Sequence, residues 1–354
     1  MKEKITTIIF IIYIFSFGIL HLVLKDNEIS KSERRKLANL PEFTLNNEYI
    51  EKIDKYLLDQ FPLRDEFRSI KANFNYKILK KLDNNNIYLQ DNYIFKSNYP
   101  TNVKSINNFN NTILKLNSLL TENNNKYIMI IPDKNYYLKT KDFLHIDYDY
   151  IYNEIEKLNI KQIDIRNTLN LSDYYETDTH WKQEKLDKVI IEMSNIMNFN
   201  YKKTNYNQKI YDKFYGVYYG ESAINRKPET LTYLTNDIIE NIKVKYLENE
   251  TLTNIYNLEK LNSLDPYEIY LDGASSYIEI TNESSESDNE LIIFRDSFGS
   301  SLAPLLVNYY KKITLIDNRY INSENISNYI EFNNQDILFM YSTLIINNSY
   351  SLKK

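Results

Sequence analysis

The chain has 354 residues, more than one ordinary domain needs and fewer than three would require. Its 43% apolar and 26% charged residues are the balance of a folded protein, which excludes a wholly disordered chain. A net charge of −5 speaks against a general nucleic-acid binder, and the absence of cysteine excludes disulfides, thiol nucleophiles and thiolate-held zinc together.

Ile5 to Leu24 is an apolar run of about 20 residues, the length that crosses a bilayer as a helix. Lys2 and Lys4 precede it and no small-residue cleavage signature closes it, so residues 1–25 are expected to be a retained single-pass anchor with the rest of the chain outside the cytoplasm. Lys31, Arg34, Arg35 and Lys36 pull the other way under the positive-inside rule. Residues 26–41 are charged and lack an apolar period, and are read as a stalk leading to one large domain, 42–354. Glu48 to Leu82 shows helical spacing, with Ile50, Ile53, Tyr56 and Leu57 before Pro62 and Phe67, Ile70, Phe74, Ile78 and Leu79 after it.

From Leu89 short turns and strands are expected. The amphipathic helix Ile106 to Leu120 then leads into the apolar run Tyr127 to Ile131, of the kind that suits a strand buried on both faces. Glu154 to Leu158 and Gln162 to Ile165 repeat that order, and Gln183 to Met197 is a strong helix. Between about Asn200 and Asn289 aromatic-rich runs such as Phe214 to Tyr219 and Val244 to Leu247 suggest an inserted β-rich lobe. Leu291 to Phe294, the helical Ser300 to Tyr310, Ile313 to Ile316 and Ile337 to Met340 restore the alternation, which predicts a parallel sheet between helices.

Of three histidines, His21 lies in the apolar span and His145 in the polar stretch Lys139 to Asp149. His180 follows Asp178 by two residues, ahead of a helix and next to Trp181, the single tryptophan. In an extended segment residues i and i+2 share a side, so the carboxylate can orient the imidazole through Nδ1. The alternative is a polar helix entry in which Asp178 or Thr179 caps the helix. Ser297 stands where the strand Leu291 to Phe294 turns into a helix, the carboxyl end of a sheet where open α/β folds bind ligands. The amides at that helix start suit an oxyanion, although the sequence G-x-S-x-G is absent. Ser297, too, has an alternative role as a cap. No phosphate loop, metal-ligand spacing or cofactor motif is present.

Tyr175-Glu-Thr-Asp-Thr-His-Trp181 and Phe294-Arg-Asp-Ser-Phe-Gly299 resemble the two signature blocks of the DHHW proteins, which are similar to the alginate O-acetyltransferase branch of the SGNH-hydrolase superfamily. Phe61-Pro-Leu-Arg64, Phe214-Tyr-Gly216 and Asp317-Asn-Arg-Tyr320 look like further blocks, and the resemblance spans about residues 42–345. It implies a three-layer, flavodoxin-like α/β fold in which Ser297 is the nucleophile, His180 the base and Asp178 its orienter. The implied activity is transfer or removal of acetyl groups on hydroxyls of a secreted or cell-surface polysaccharide through an acetyl-serine, without a cofactor. By the same analogy a polytopic membrane O-acyltransferase would deliver the acetyl group. Thr179, Lys182 and Arg295 depart from the usual pattern. Arg319 and Tyr320 are candidate substrate contacts. Gly216 is a candidate second oxyanion donor, or a glycine that a tight turn requires. The competing reading is a non-catalytic glycan-binding or scaffold component of a polysaccharide modification or export machine.

Overall fold

The apolar N-terminal run forms one helix, α1 (Lys2–Val23), in the computed structural model, which describes residues 2–138, 140, 142–247 and 249–353. Lys139 and Lys141, at the start of the polar stretch before His145, lie outside the described residues. Among those that are described, α1 is the one helix long and apolar enough to cross a membrane. The chain divides into two units, residues 1–87 with 217–227, and residues 88–216 with 228–354.

In the first unit α2 (Asn47–Asp59) and α3 (Arg64–Asn73) flank Pro62, where the helical pattern breaks. Asn46 caps α2 by accepting the Tyr49 amide, and α3 runs on into a π-turn over Phe74–Ile78. Residues 26–41 are not an extended stalk. They form a short antiparallel pair, Ile29–Ser30 with Arg35–Lys36, tied to the helices by ion pairs. Arg35 meets the buried Asp59 at 2.6 Å, and Glu33 takes Arg64 at 2.7 Å and Arg68 at 3.3 Å. Opposite charges spaced for one another across a turn account for an order that a search for apolar periods does not register. The expected domain start at residue 42 therefore falls inside this unit.

The second unit is built on an eight-stranded sheet: β1 (Asn125–Ile131), β2 (Lys161–Gln162), β3 (Lys243–Tyr246), β4 (Asn249–Asn254), β5 (Tyr277–Thr281), β6 (Glu290–Arg295), β7 (Lys312–Ile316) and β8 (Asp336–Ser342). Their spatial order is β4-β3-β5-β7-β6-β8-β1-β2. The five from β7 to β2 are parallel, while β5, β3 and β4 extend the sheet in antiparallel register. Alternate residues of the parallel strands feed two cores. Met129, Ile131, Leu291, Ile293 and Met340 pack on one face with α6 (Asp187–Met197) and α7 (Gly299–Leu306). Ile128, Ile130, Ile292, Phe294 and Phe339 pack on the other with α4 (Val103–Asn117) and α5 (Tyr148–Glu156). The molecule is thus a mixed α/β fold with a mostly parallel sheet between helical layers.

The segment expected to form a β-rich lobe divides three ways. Asn207–Phe214 and Glu229–Thr235 make a separate hairpin, β3 to β5 continue the central sheet, and Val217–Ser222, read as part of an extended run, is a short helix.

Two parallel strands, β6 and β8, lie side by side, but their following helices go to opposite faces. After β6, α7 packs with Met340 and Ile293; after β8, the short helix Thr343–Asn347 places Ile346 with Phe339 and Ile128. In open α/β sheets ligands bind where such a divergence occurs, at the carboxyl ends of the strands. Ser297 follows β6 at that end.

Candidate active site

Ser297 lies between β6 and α7, and from Leu291 to Val307 it is the only residue that is not buried. The turn that lifts it out is held from beneath by Asp296. One carboxylate oxygen accepts the Phe298 amide at 3.1 Å and the other accepts the Ser342 amide at 2.7 Å, joining the ends of β6 and β8. The Gly299 amide donates to Asp296 O and the Ser300 amide to Ser297 O. Gly299 is closely packed: a Cβ there would come within 2.8 Å of the end of the Met340 side chain and 3.1 Å of Arg295 Cβ.

Asp178 and His180 sit in a loop closed by an antiparallel bridge between Tyr174 and Trp181. The helical turn beginning at Gln183 follows, so both residues precede it, as their spacing requires. Asp178 Oδ1 accepts the His180 backbone amide at 3.0 Å and lies 2.6 Å from His180 Nδ1. The opposite ring nitrogen, Nε2, lies 2.7 Å from Ser297 Oγ. One carboxylate therefore fixes both the backbone and the ring of the same histidine, and the ring is handed to the serine in the tautomer that can accept a proton. The arrangement is a continuous hydrogen-bonded chain from a buried carboxylate to a half-exposed hydroxyl.

Several side chains hold the ring in place. Tyr267 stacks on His180 with 3.8 Å between ring centroids and 7° between planes, and its hydroxyl donates to Ser301 Oγ at 2.8 Å. Trp181 Nε1 donates to Ser301 Oγ at 2.9 Å and to Phe298 O at 3.2 Å, so the histidine loop and the start of α7 are pinned together. Gln183 adds a bond to Ser301 O and receives the Leu234 amide.

The loop itself is held by two charged side chains, the buried Lys134 and the half-buried Glu229. Lys134, just beyond β1, donates from Nζ to the carbonyls of Tyr175, Glu176 and Asp178, at 3.1, 3.2 and 2.7 Å. Glu229 accepts the amides of Glu176 and Thr177 at 2.8 and 2.7 Å, and the Thr177 hydroxyl as well. Burial pushes the Lys134 ammonium down and the Glu229 carboxyl up, and each opposes the shift of the other by its charge. Neither residue belongs to a recognisable motif; their places just beyond a parallel strand and at the start of a hairpin's second strand are the only local signal. Tyr267 carries none.

Gly216 was expected either to donate to an oxyanion or to satisfy a close turn. Its amide donates to Thr177 Oγ1 at 2.8 Å, and a Cβ would come within 2.3 Å of Thr177 O and 2.4 Å of Asp178 Cα. It is thus a close-approach glycine beneath Asp178, with its amide already engaged. The amides at the α7 start are largely committed as well: Phe298, Gly299 and Ser300 donate to Asp296 and Ser297. That leaves the Ser297 amide, which has no partner among the described residues.

Arg319 and Tyr320 follow β7 at the same carboxyl edge. Phe294 pairs with Ile316 in register, and Ser297 and Arg319 each stand three residues further on. Arg319 is held by the buried Asp317 through three side-chain bonds, at 2.9, 3.2 and 2.6 Å, and Tyr320 is exposed beside it. His145 Nδ1 donates to the neighbouring Ile146 O at 2.9 Å, and His21 lies 3.2 Å from Gln60 O in the first unit. Arg295 is buried behind the serine turn, bonded to Ser300 Oγ at 2.9 Å.

No family model matches the chain, and no curated protein matches it in sequence. Solved structures do match. A DHHW family protein from Eubacterium siraeum superposes with a TM-score of 0.60 at 17% identity, covering 77% of this chain and 97% of that one. This chain has the DHHW-protein fold. PatB1 of Bacillus cereus, solved with a sulfonyl adduct, superposes with a TM-score of 0.57 at 20% identity, over 76% of this chain and 100% of that one. The O-acetyltransferase domain of Pseudomonas putida AlgJ gives a TM-score of 0.44 at 10% identity, over 74% and 92%.

Proposed function

We propose that the protein is a membrane-anchored, extracytoplasmic serine acyltransferase or esterase acting on O-acetyl groups of a secreted or cell-surface polysaccharide. The observation that carries the reading is the chain Asp178–His180–Ser297, with 2.6 Å and 2.7 Å links, ending on the one accessible residue of an otherwise buried segment. A purely glycan-binding or scaffold protein has no use for an imidazole aligned between a carboxylate and a hydroxyl.

The chemistry follows from the geometry. His180 Nε2 takes the Oγ proton as Ser297 attacks the acetyl carbonyl, and Asp178 stabilises the imidazolium that forms. The Ser297 amide, at the positive end of α7, faces the developing oxyanion. The leaving alkoxide takes the proton from His180, leaving an acetyl-serine. The ring then deprotonates the acceptor, a sugar hydroxyl for transfer or water for hydrolysis. Arg319 and Tyr320, at the same sheet edge, are assigned contacts with the acceptor. An acetyl donor outside the cytoplasm, such as a polytopic membrane O-acyltransferase, completes the scheme. The apolar α1 supports the anchor.

The test is acetate release from an activated acetyl ester by the full chain in detergent. Ser297→Ala and His180→Ala are expected to lower turnover by roughly 10³-fold or more with the fold retained. Equal rates in wild type and Ser297→Ala would transfer the weight to the scaffold reading.

A further inference from the structure

The first unit exposes more apolar surface than folding explains. Along α3 and the π-turn, Leu63, Phe67, Ile70, Phe74 and Ile78 recur at three- and four-residue spacing on one face, and Ile70 and Ile78 are 64% and 66% exposed. A shallow groove of about 790 Å³ runs along Ile70, Phe74 and Ile78. Continuous stripes of this kind on a water-soluble surface mark a contact with something else.

What covers this face follows from where α1 meets it. Phe17 stacks on Phe61 with 5.5 Å between centroids and 14° between planes, and meets Phe67 edge-on at 5.6 Å. His21 Nδ1 lies 3.2 Å from Gln60 O, and its ring packs on Tyr56 at 5.5 Å. The corner between α2 and α3 is therefore fastened beside the last two turns of the apolar run, which ends at Val23, and not beyond it. At about 1.5 Å of rise per residue, Phe17 lies ~9 Å inside that end. A span that places Phe17 in the hydrocarbon edge carries Phe61 and Phe67 to the same depth. The α3 stripe starts at this corner, and Lys71, Lys77, Lys80 and Lys81 are exposed along its further half, where they suit anionic headgroups. Asp65 and Glu66 occupy its first turn, Asp65 being paired with Arg68.

We infer that the α2–α3 corner and the exposed face of α3 lie in the interface of an anionic bilayer, as an in-plane contact beside the span of α1. This rests on reading α1 as a retained anchor. The first unit is then a wedge seated in the headgroup layer, with Phe61, Phe67, Ile70, Phe74 and Ile78 immersed and the lysines at its rim.

The chain has no cysteine, so single-cysteine variants of the full protein can carry one fluorophore each. In vesicles of phosphatidylglycerol and phosphatidylethanolamine, probes at Ile70→Cys, Phe74→Cys, Ile11→Cys and Lys52→Cys would be quenched by nitroxide lipids at shallow or deep positions, and by aqueous iodide. The expected result is shallow-lipid quenching at 70 and 74 at least about twofold stronger than at 52, with deep quenching at 11. Iodide access at 70 and 74 with deep quenching at 11 would overturn the inference while leaving the anchor intact. Shielding of 70 and 74 from both quenchers would overturn it in favour of a protein partner or a second copy. Loss of lipid quenching at 11 would remove the anchor itself, and the inference with it.

Discussion

Asp178 Oδ1 takes two donors from one residue, the ring and the amide of His180, while the carbonyl of Asp178 is held by Lys134 Nζ. Small changes beneath this loop should therefore reach the chemistry. Gly216→Ala puts a methyl group against backbone atoms of Thr177 and Asp178, which cannot swing aside. The expected cost is about 1–3 kcal/mol of stability, with turnover falling well below the folded fraction. Thermal denaturation beside acetate release checks it, and wild-type turnover in the variant would contradict the placement. Lys134→Met removes three donors from the loop carbonyls and a positive charge that favours the Glu229 carboxylate, a loss of about 1–3 kcal/mol. Adding Glu229→Gln should recover part of that loss, as coupled neighbours do, and strictly additive losses would show that the two do not act as a pair. At this scale the sequence is legible for Asp178, His180 and Ser297, because each stands at a recognisable end of an element. It is silent on Lys134, Glu229 and Tyr267, which act through partners 34 or more residues away. For Gly216 the sequence offers an oxyanion donor or a tight turn, whereas the packing against Thr177 and Asp178 makes it a close-approach glycine.

Between residue and fold, the elements that the pattern identifies best are those with a clear period. Tyr127 to Ile131 and Leu291 to Phe294 fall inside β1 and β6, and both helices around Pro62 form. The strong helix expected from Gln183 begins as a 3-10 turn and becomes α-helical only at Asp187, and α5 starts at Tyr148, well ahead of the expected Glu154. Tyrosines on its buried side blur the apolar period there. The segment 26–41 lacks a period and yet folds, through charge. Asp59 is held at about 2, against an ordinary 3.8, first by its bond to Arg35. A carboxyl lowered on folding stabilises fully above its unfolded value and loses that contribution as pH falls through the folded one. The denaturation midpoint of wild type should therefore exceed that of Asp59→Asn at pH 6, and the gap should close between about pH 4 and pH 2. A gap independent of pH would mean that the ion pair does not secure the segment.

Over the whole molecule, alternation of helix and strand is enough to predict a parallel sheet between helical layers, and that is the fold observed. What alternation does not disclose is the order of strands. The helices after β6 and β8 diverge because β7 and β8, consecutive in sequence, lie on opposite sides of β6, and no local pattern encodes such a crossing. Nor does it reveal that β3, β4 and β5 extend the main sheet, since antiparallel edge strands read alike in a lobe or at a sheet margin. This architecture is expected to activate one serine. Exposing the full chain to a sulfonyl fluoride, which captures an activated hydroxyl, and reading intact mass and peptide maps tests this. A single adduct on Ser297 is expected, absent in Ser297→Ala and slowed by roughly 10²-fold or more in His180→Ala. Labelling of His180→Ala at the wild-type rate, or an adduct placed elsewhere, would contradict it.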